Sequence, residues 1–271
     1  MLGAARGLYY AAAMLLFGAA AFETLLRARL PIIAAPRLPL RWAAWALALL
    51  AGTAWLALAA LAMAERLDMP VIIQTATDTL FGQVFLLRLA ALLGFGLLLA
   101  MRRGRKITVV FAALALALPA VTSHAAEASP AGFTAIGATL DGVHLLACGF
   151  WIGGLAVLAV LFLRKEPHML LALSLFSDWA MVAVLILVMT GLIDAASILL
   201  GHGAPSPAYL GVLGAKLALV AVMLGLAAVN RFRLMPRGDD ASIARNAAIE
   251  LGLGLIVVLL AGALGQLQPV L

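Results

Sequence analysis

Eight apolar stretches, each close to the length needed to cross a bilayer, follow one another through the 271 residues with only short polar breaks between them. A hydrocarbon core roughly 30 Å thick takes about 20 residues of helix, and a soluble domain has no use for so many runs of that length. Composition agrees, with 66% of residues hydrophobic, 11% charged and a mean hydropathy of +1.15. The expected fold is therefore all-α: a polytopic membrane helix bundle of about eight transmembrane helices, forming one transmembrane domain over residues 1–271. The apolar windows place spans at 4–27, 40–64, 79–101, 106–123, 140–163, 169–200, 208–230 and 244–266.

Basic residues orient the bundle. Fourteen of the eighteen Lys and Arg fall in the connections after spans one, three, five and seven. These are Arg27, Arg29, Arg37 and Arg41; Arg102, Arg103, Arg105 and Lys106; Arg164 and Lys165; and Arg231, Arg233, Arg237 and Arg245. Arg6 and Arg66 lie on the other side, while Arg88 and Lys216 fall inside spans. Positively charged connections stay in the cytoplasm, so both termini are expected to be periplasmic. The net charge of +6 thus reads as a topology signal, and nucleic-acid binding is not expected. Span one is read as a membrane helix and not as a cleaved signal, because four arginines follow it.

An ionisable group in hydrocarbon costs several kcal/mol unless it is paired or hydrated, which makes the few polar residues inside the spans the candidates for function. A single cysteine, Cys148, excludes a cysteine-only metal cage. In the segment DGVHLLACGFWIGGL, Asp141, His144, Cys148 and Trp151 fall along one side of a helix. A carboxylate one turn from an imidazole is a common way to fix the tautomer of a metal-binding histidine. His144 also reads as a packing histidine at a helix end. Gly149 and Gly153 form a small-xxx-small spacing on another face, which permits close approach of a second helix.

His124 ends span four in SHAAEASP, and His202 sits in the connection GHGAPSP, so three of the four histidines face the expected periplasmic side. Imidazole suits copper and zinc, and thioether sulfur adds a preference for Cu(I). Met189 and Met223 are among the methionines within reach of that side or of mid-membrane, although methionine is also a common core filler. In span seven, Tyr209, Lys216, Met223 and Asn230 recur every seven residues and draw a line across the membrane. It reads as a seam of polar side chains bonding across helices, or as the border of a transport path. Lys216 is expected to pair with a carboxylate, Asp141, Asp194, Asp178 or the deeper Glu250.

The strings SHAAE, DGVHLLACGFWIGGL, LFSDWAMVAVLILVMTGL, AYLGVLGAKLAL and NRFRLMP, followed by Glu250, resemble the copper resistance protein D family of bacterial inner-membrane proteins. The resemblance is continuous over about 124–269; before that, the layout and FGQVFLLRL around Arg88 carry it. It implies copper transport or copper handling across the bacterial inner membrane, with copper as the bound ion and a small periplasmic copper-binding protein as a partner. His124, His144, Trp151, Lys216, Asn230 and Glu250 occupy the family's pattern, while Leu210 intervenes between Tyr209 and Gly211 where the family shows Tyr-Gly. Copper is expected to be taken from the periplasmic side by His124 and His144, with Asp141 orienting or hydrating the site and His202 available to complete it. The chain is not expected to be an enzyme. With no Walker sequence and no Cys-x-x-Cys, any movement of copper is expected to be passive or coupled to another gradient. The competing reading is a cytochrome-b-like electron-transfer protein in which His124 and His144 ligate haem.

Overall fold

A computed structural model describes residues 1–33, 39–102, 104–122, 134–199 and 206–267. Its helices are α1 (Leu2–Arg29), α2 (Pro39–Ala64), α3 (Met69–Asp78), α4 (Leu80–Met101) and α5 (Arg105–Ala117), the last extended by a 3-10 turn, Leu118–Thr122. They continue with α6 (Thr134–Leu163), α7 (Met169–Leu199), α8 (Pro207–Val229) and α9 (Asp240–Leu264). Eight of them are long and apolar enough to span a membrane, and no strand occurs among the described residues. The all-α polytopic bundle read from the sequence is what the chain forms. His124 and His202 lie outside the described residues, as do Arg37 and Arg103.

The helix ends follow local chemistry. Asp68 accepts from the Val71 N–H and starts α3 with Pro70 in its first turn, and Thr79 accepts from the Gly82 N–H at the start of α4. Asp239 caps α9 through the Ser242 N–H, and hydrogen bonds from the Ser242 side chain and then from that N–H hold its carboxyl below the ordinary carboxylate range. Between α4 and α5, Arg102 and Gly104 both take left-handed backbone conformations (φ 53° and 69°), which reverses the chain within a few residues. The short helix α3, inside what the sequence presents as a connection, packs on α4. A Cβ at Gly82 would collide with the backbone of Thr75 and Ala76, so glycine is what lets these two helices touch.

Helices α1 and α6 form the centre. α1 packs against α2, α5, α6 and α9, and α6 packs against α1, α5, α7 and α9. The α1–α6 crossing is made by glycine on both sides: a Cβ built on Gly153 would lie 2.5 Å from Gly18 Cα, and one on Gly18 would run into the Gly149 carbonyl. The small-xxx-small pair of α6 is therefore a true close-approach face. A second glycine contact joins α1 to α9, where a Cβ on Gly262 would lie 2.8 Å from Gly7 Cα. By contrast, α7 and α8 sit at the edge, with large exposed apolar residues such as Leu185, Leu192, Leu217 and Val222 facing the surroundings. In a bilayer that exposure is lipid contact.

Candidate functional site

The polar residues of α6, α7 and α8 gather at the end of the bundle opposite its arginine-rich connections. His144 is half-buried on α6, about 15 Å along the helix from its first residue. Its Nδ1 lies 2.7 Å from Thr190 Oγ1 on α7, and its ring packs beside Gly191, where a Cβ would come within 3.9 Å of Cε1. The Thr190 hydroxyl carries one proton and reaches its own helix carbonyls, Ile186 O at 2.8 Å and Leu187 O at 3.3 Å. A hydroxyl that donates to those carbonyls accepts from the imidazole. The network therefore assigns the proton of His144 to Nδ1 and leaves the Nε2 lone pair free to bind a ligand.

The partner that fixes His144 is thus a threonine from the next helix; among the described residues no hydrogen bond joins Asp141 to His144. Lys216 acts on the imidazole and, with Asp141, on Asp194 and on the Cys148 thiol one turn along α6, so these groups share one electrostatic field. Tyr209 completes the group from the start of α8, within the field of Asp194. Of the four carboxylates expected to pair with Lys216, Asp178 is bound by Arg231 and Glu250 by Asn230. No ion pair within 4 Å joins Lys216 to Asp141 or Asp194 among the described residues, so its contact with them is through the field. No three of the described His, Cys, Asp and Glu come together as a metal cage.

Deeper in the bundle the line along α8 turns apolar. Tyr209 and Met223 are the buried residues of α8, with Asn230 immediately beyond it and Lys216 half-buried between. Met223 and Trp151, at 2% and 4% exposure, belong to one apolar cluster that separates the outer polar group from a third tier. Met189 is 53% exposed on the bundle's outer surface and does not face this line.

The third tier lies toward the arginine-rich end. Asn230 Nδ2 donates to Glu250 Oε1 at 2.7 Å, and Asn246 Nδ2 donates to Asn230 Oδ1 at 2.9 Å, all three residues being buried. The backbone from Asn230 to Leu234 widens into a π-helical turn, an arrangement often found at functional sites. Arg231 leaves the same turn to bond Ser177 Oγ at 2.6 Å and Asp178 Oδ1 at 3.1 Å on α7. Sequence reasoning had Asn230 and Glu250 but missed Thr190 and Asn246. Both are ordinary polar residues whose partners come from another helix, so no spacing along the chain marks them.

Two family models cover this arrangement. Copper resistance protein D matches residues 170–264, and Copper resistance protein D-like, N-terminal domain, matches residues 1–133. Copper resistance protein D of Pseudomonas syringae pv. tomato is 31% identical over 219 residues, covering 71% of this chain and 70% of that protein. The chain belongs to the copper resistance protein D family. A second relative, Copper transport protein CutJ of Bacillus subtilis (strain 168), is 28% identical over 214 residues, or 72% of this chain and 38% of that protein. No solved structure matches. The N-terminal model brings the first four spans into the family on their own evidence, where the sequence offered mainly layout. The relatives are named for copper and none for electron transfer, so the haem alternative finds no support.

Proposed function

We propose that this membrane protein moves copper across the bacterial inner membrane, taking it from the periplasmic side at the group around His144. The observation that supports the reading is the Thr190 hydrogen bond at Nδ1, with which Nε2 of a membrane histidine is available to a ligand. Membership of a copper resistance family, and relatives named for copper resistance and copper transport, supply the ion. Copper is the cargo here, in either oxidation state. His124 and His202 join His144 as ligands, Asp141 and Asp194 attract and hydrate the arriving cation, and a small periplasmic copper-binding protein delivers it. Few protein ligands suit transit, because a site that passes an ion on must release it. Trp151 and Met223 form the apolar restriction below the site, and Asn230, Asn246 and Glu250 form the receiving tier on the cytoplasmic side.

This orientation places both termini in the periplasm and treats residues 1–271 as one transmembrane domain without enzymatic activity. Reporter fusions after spans one and three that read periplasmic would contradict it. Metal analysis and a visible spectrum of one purified sample test the cargo: copper without a haem band agrees with the proposal, and a haem band without copper refutes it.

A further inference from the structure

Arg88 on α4 is 1% exposed, and its Nε, Nη1 and Nη2 have no hydrogen-bond partner among the described residues. Four aromatic rings enclose the guanidinium, with Cζ 4.6 Å from the Trp55 centroid, 4.9 Å from Tyr9, 5.3 Å from Phe85 and 5.9 Å from Phe81. Ring faces attract a cation, but they do not replace in-plane acceptors for its five N–H donors. The one hydroxyl in this cage, on Tyr9, donates to Ala115 O. A second cation converges on the same indole: Arg6 Cζ lies 5.7 Å from Trp55 and 5.6 Å from Tyr10. Arg6 Nη1 donates to Gly265 O at the end of α9, and its Nε is also buried without a partner among the described residues. Among the described residues the buried carboxylates are engaged elsewhere, Glu23 with Arg41 and Glu250 with Asn230, and Asp141 reaches the cluster only through its field at Tyr10.

A buried charge is normally paired, and arginine does not escape the cost by losing its proton. Two guanidinium groups share one indole, and the Arg88 donors are unanswered among the described residues, an arrangement that calls for a negative charge beside them. We propose that Arg88, assisted by Arg6, holds a small inorganic anion of the halide class, chloride first, among α1, α2 and α4. The near-complete burial of Arg88 excludes a ligand with a bulky body. The in-plane N–H donors of Arg88, which rings lying over the guanidinium do not satisfy, suit a small monatomic anion. The anion neutralises fixed positive charge beside α1, the helix whose other side packs against α6 and its cation site.

The test uses the full-length protein in nanodiscs prepared in gluconate buffer. Radiolabelled chloride should bind saturably, close to one per chain, bromide should compete, and Trp fluorescence and melting temperature should follow the same titration. Arg88→Gln should abolish binding, whereas Arg66→Gln, an exposed arginine in an ion pair with Asp68, should leave it unchanged. If Arg88→Gln does not fold, the parent and Arg6→Gln decide: saturable chloride uptake that Arg6→Gln weakens several-fold sustains the site. Absence of saturable uptake by the parent overturns it, as does uptake equal in folded Arg88→Gln. Tightly retained phospholipid phosphorus in place of chloride also overturns it.

Discussion

His144 on α6 and Thr190 on α7 are joined by a 2.7 Å hydrogen bond between Nδ1 and Oγ1, and that bond decides which imidazole nitrogen is offered to a ligand. Outer partners of this kind typically control metal affinity by about 10–100-fold. Thr190→Val removes the acceptor while keeping the shape, so copper affinity should fall within that range in a protein that still folds. Thr190→Ser should retain it. Competition with a chromophoric copper chelator measures both, and an unchanged affinity in Thr190→Val would remove the tautomer argument.

The α1–α6 crossing leaves no room for a side chain at Gly18 or Gly153. Because the colliding atoms are backbone, the helices themselves must separate. Gly153→Ala should destabilise the protein by about 1–3 kcal/mol and Gly153→Leu should prevent folding. Thermal unfolding in detergent reads the first and size-exclusion behaviour the second. Gly214→Ala, in α8 where a Cβ meets nothing within 4 Å, is the neutral control.

The chain Asn246–Asn230–Glu250 is buried and directional. Asn230→Leu strips Glu250 of its donor and Asn246 of its acceptor, each loss worth about 1–3 kcal/mol. Glu250→Gln still presents an acceptor to Asn230 and should cost far less. Melting temperatures of the two variants should therefore differ clearly; equal values would show that the hydrogen bonds contribute little.

Lys216 acts on His144 through space, and among the described residues it has no ion pair inside 4 Å. The large penalty that follows from breaking a buried pair, about 3–5 kcal/mol, is therefore not expected of Lys216→Met. Removing a positive charge beside the cation site should instead raise copper affinity. A drop in affinity, or loss of the folded protein, would show that Lys216 has a direct carboxylate contact in the membrane.

The spans were legible because a bilayer demands continuous apolar helix, a constraint each segment must meet by itself. The glycine face of α6 and the seven-residue line Tyr209, Lys216, Met223, Asn230 were legible for a related reason: helical periodicity alone decides which residues share a face. What the sequence hid depends on which helix lies opposite. Thr190 and Asn246 acquire meaning only from His144 and Asn230, and the ring cage of Arg88 draws on α1, α2 and α4 at once. Membrane depth made Met189 a candidate ligand, and its exposure on α7 likewise depends on which helices lie beside it.

Copper binding by the purified full-length protein, compared with His144→Ala and with the double replacement of His124 and His144 by alanine, tests the central claim most directly. Stoichiometry and affinity should both be read, with circular dichroism confirming a folded bundle. The account predicts that His144→Ala weakens copper binding by roughly tenfold or more. The double variant should lose the site while remaining helical in the membrane. A double variant that binds copper with the parent's stoichiometry and affinity would contradict the account and leave both histidines as structural residues of the helix ends.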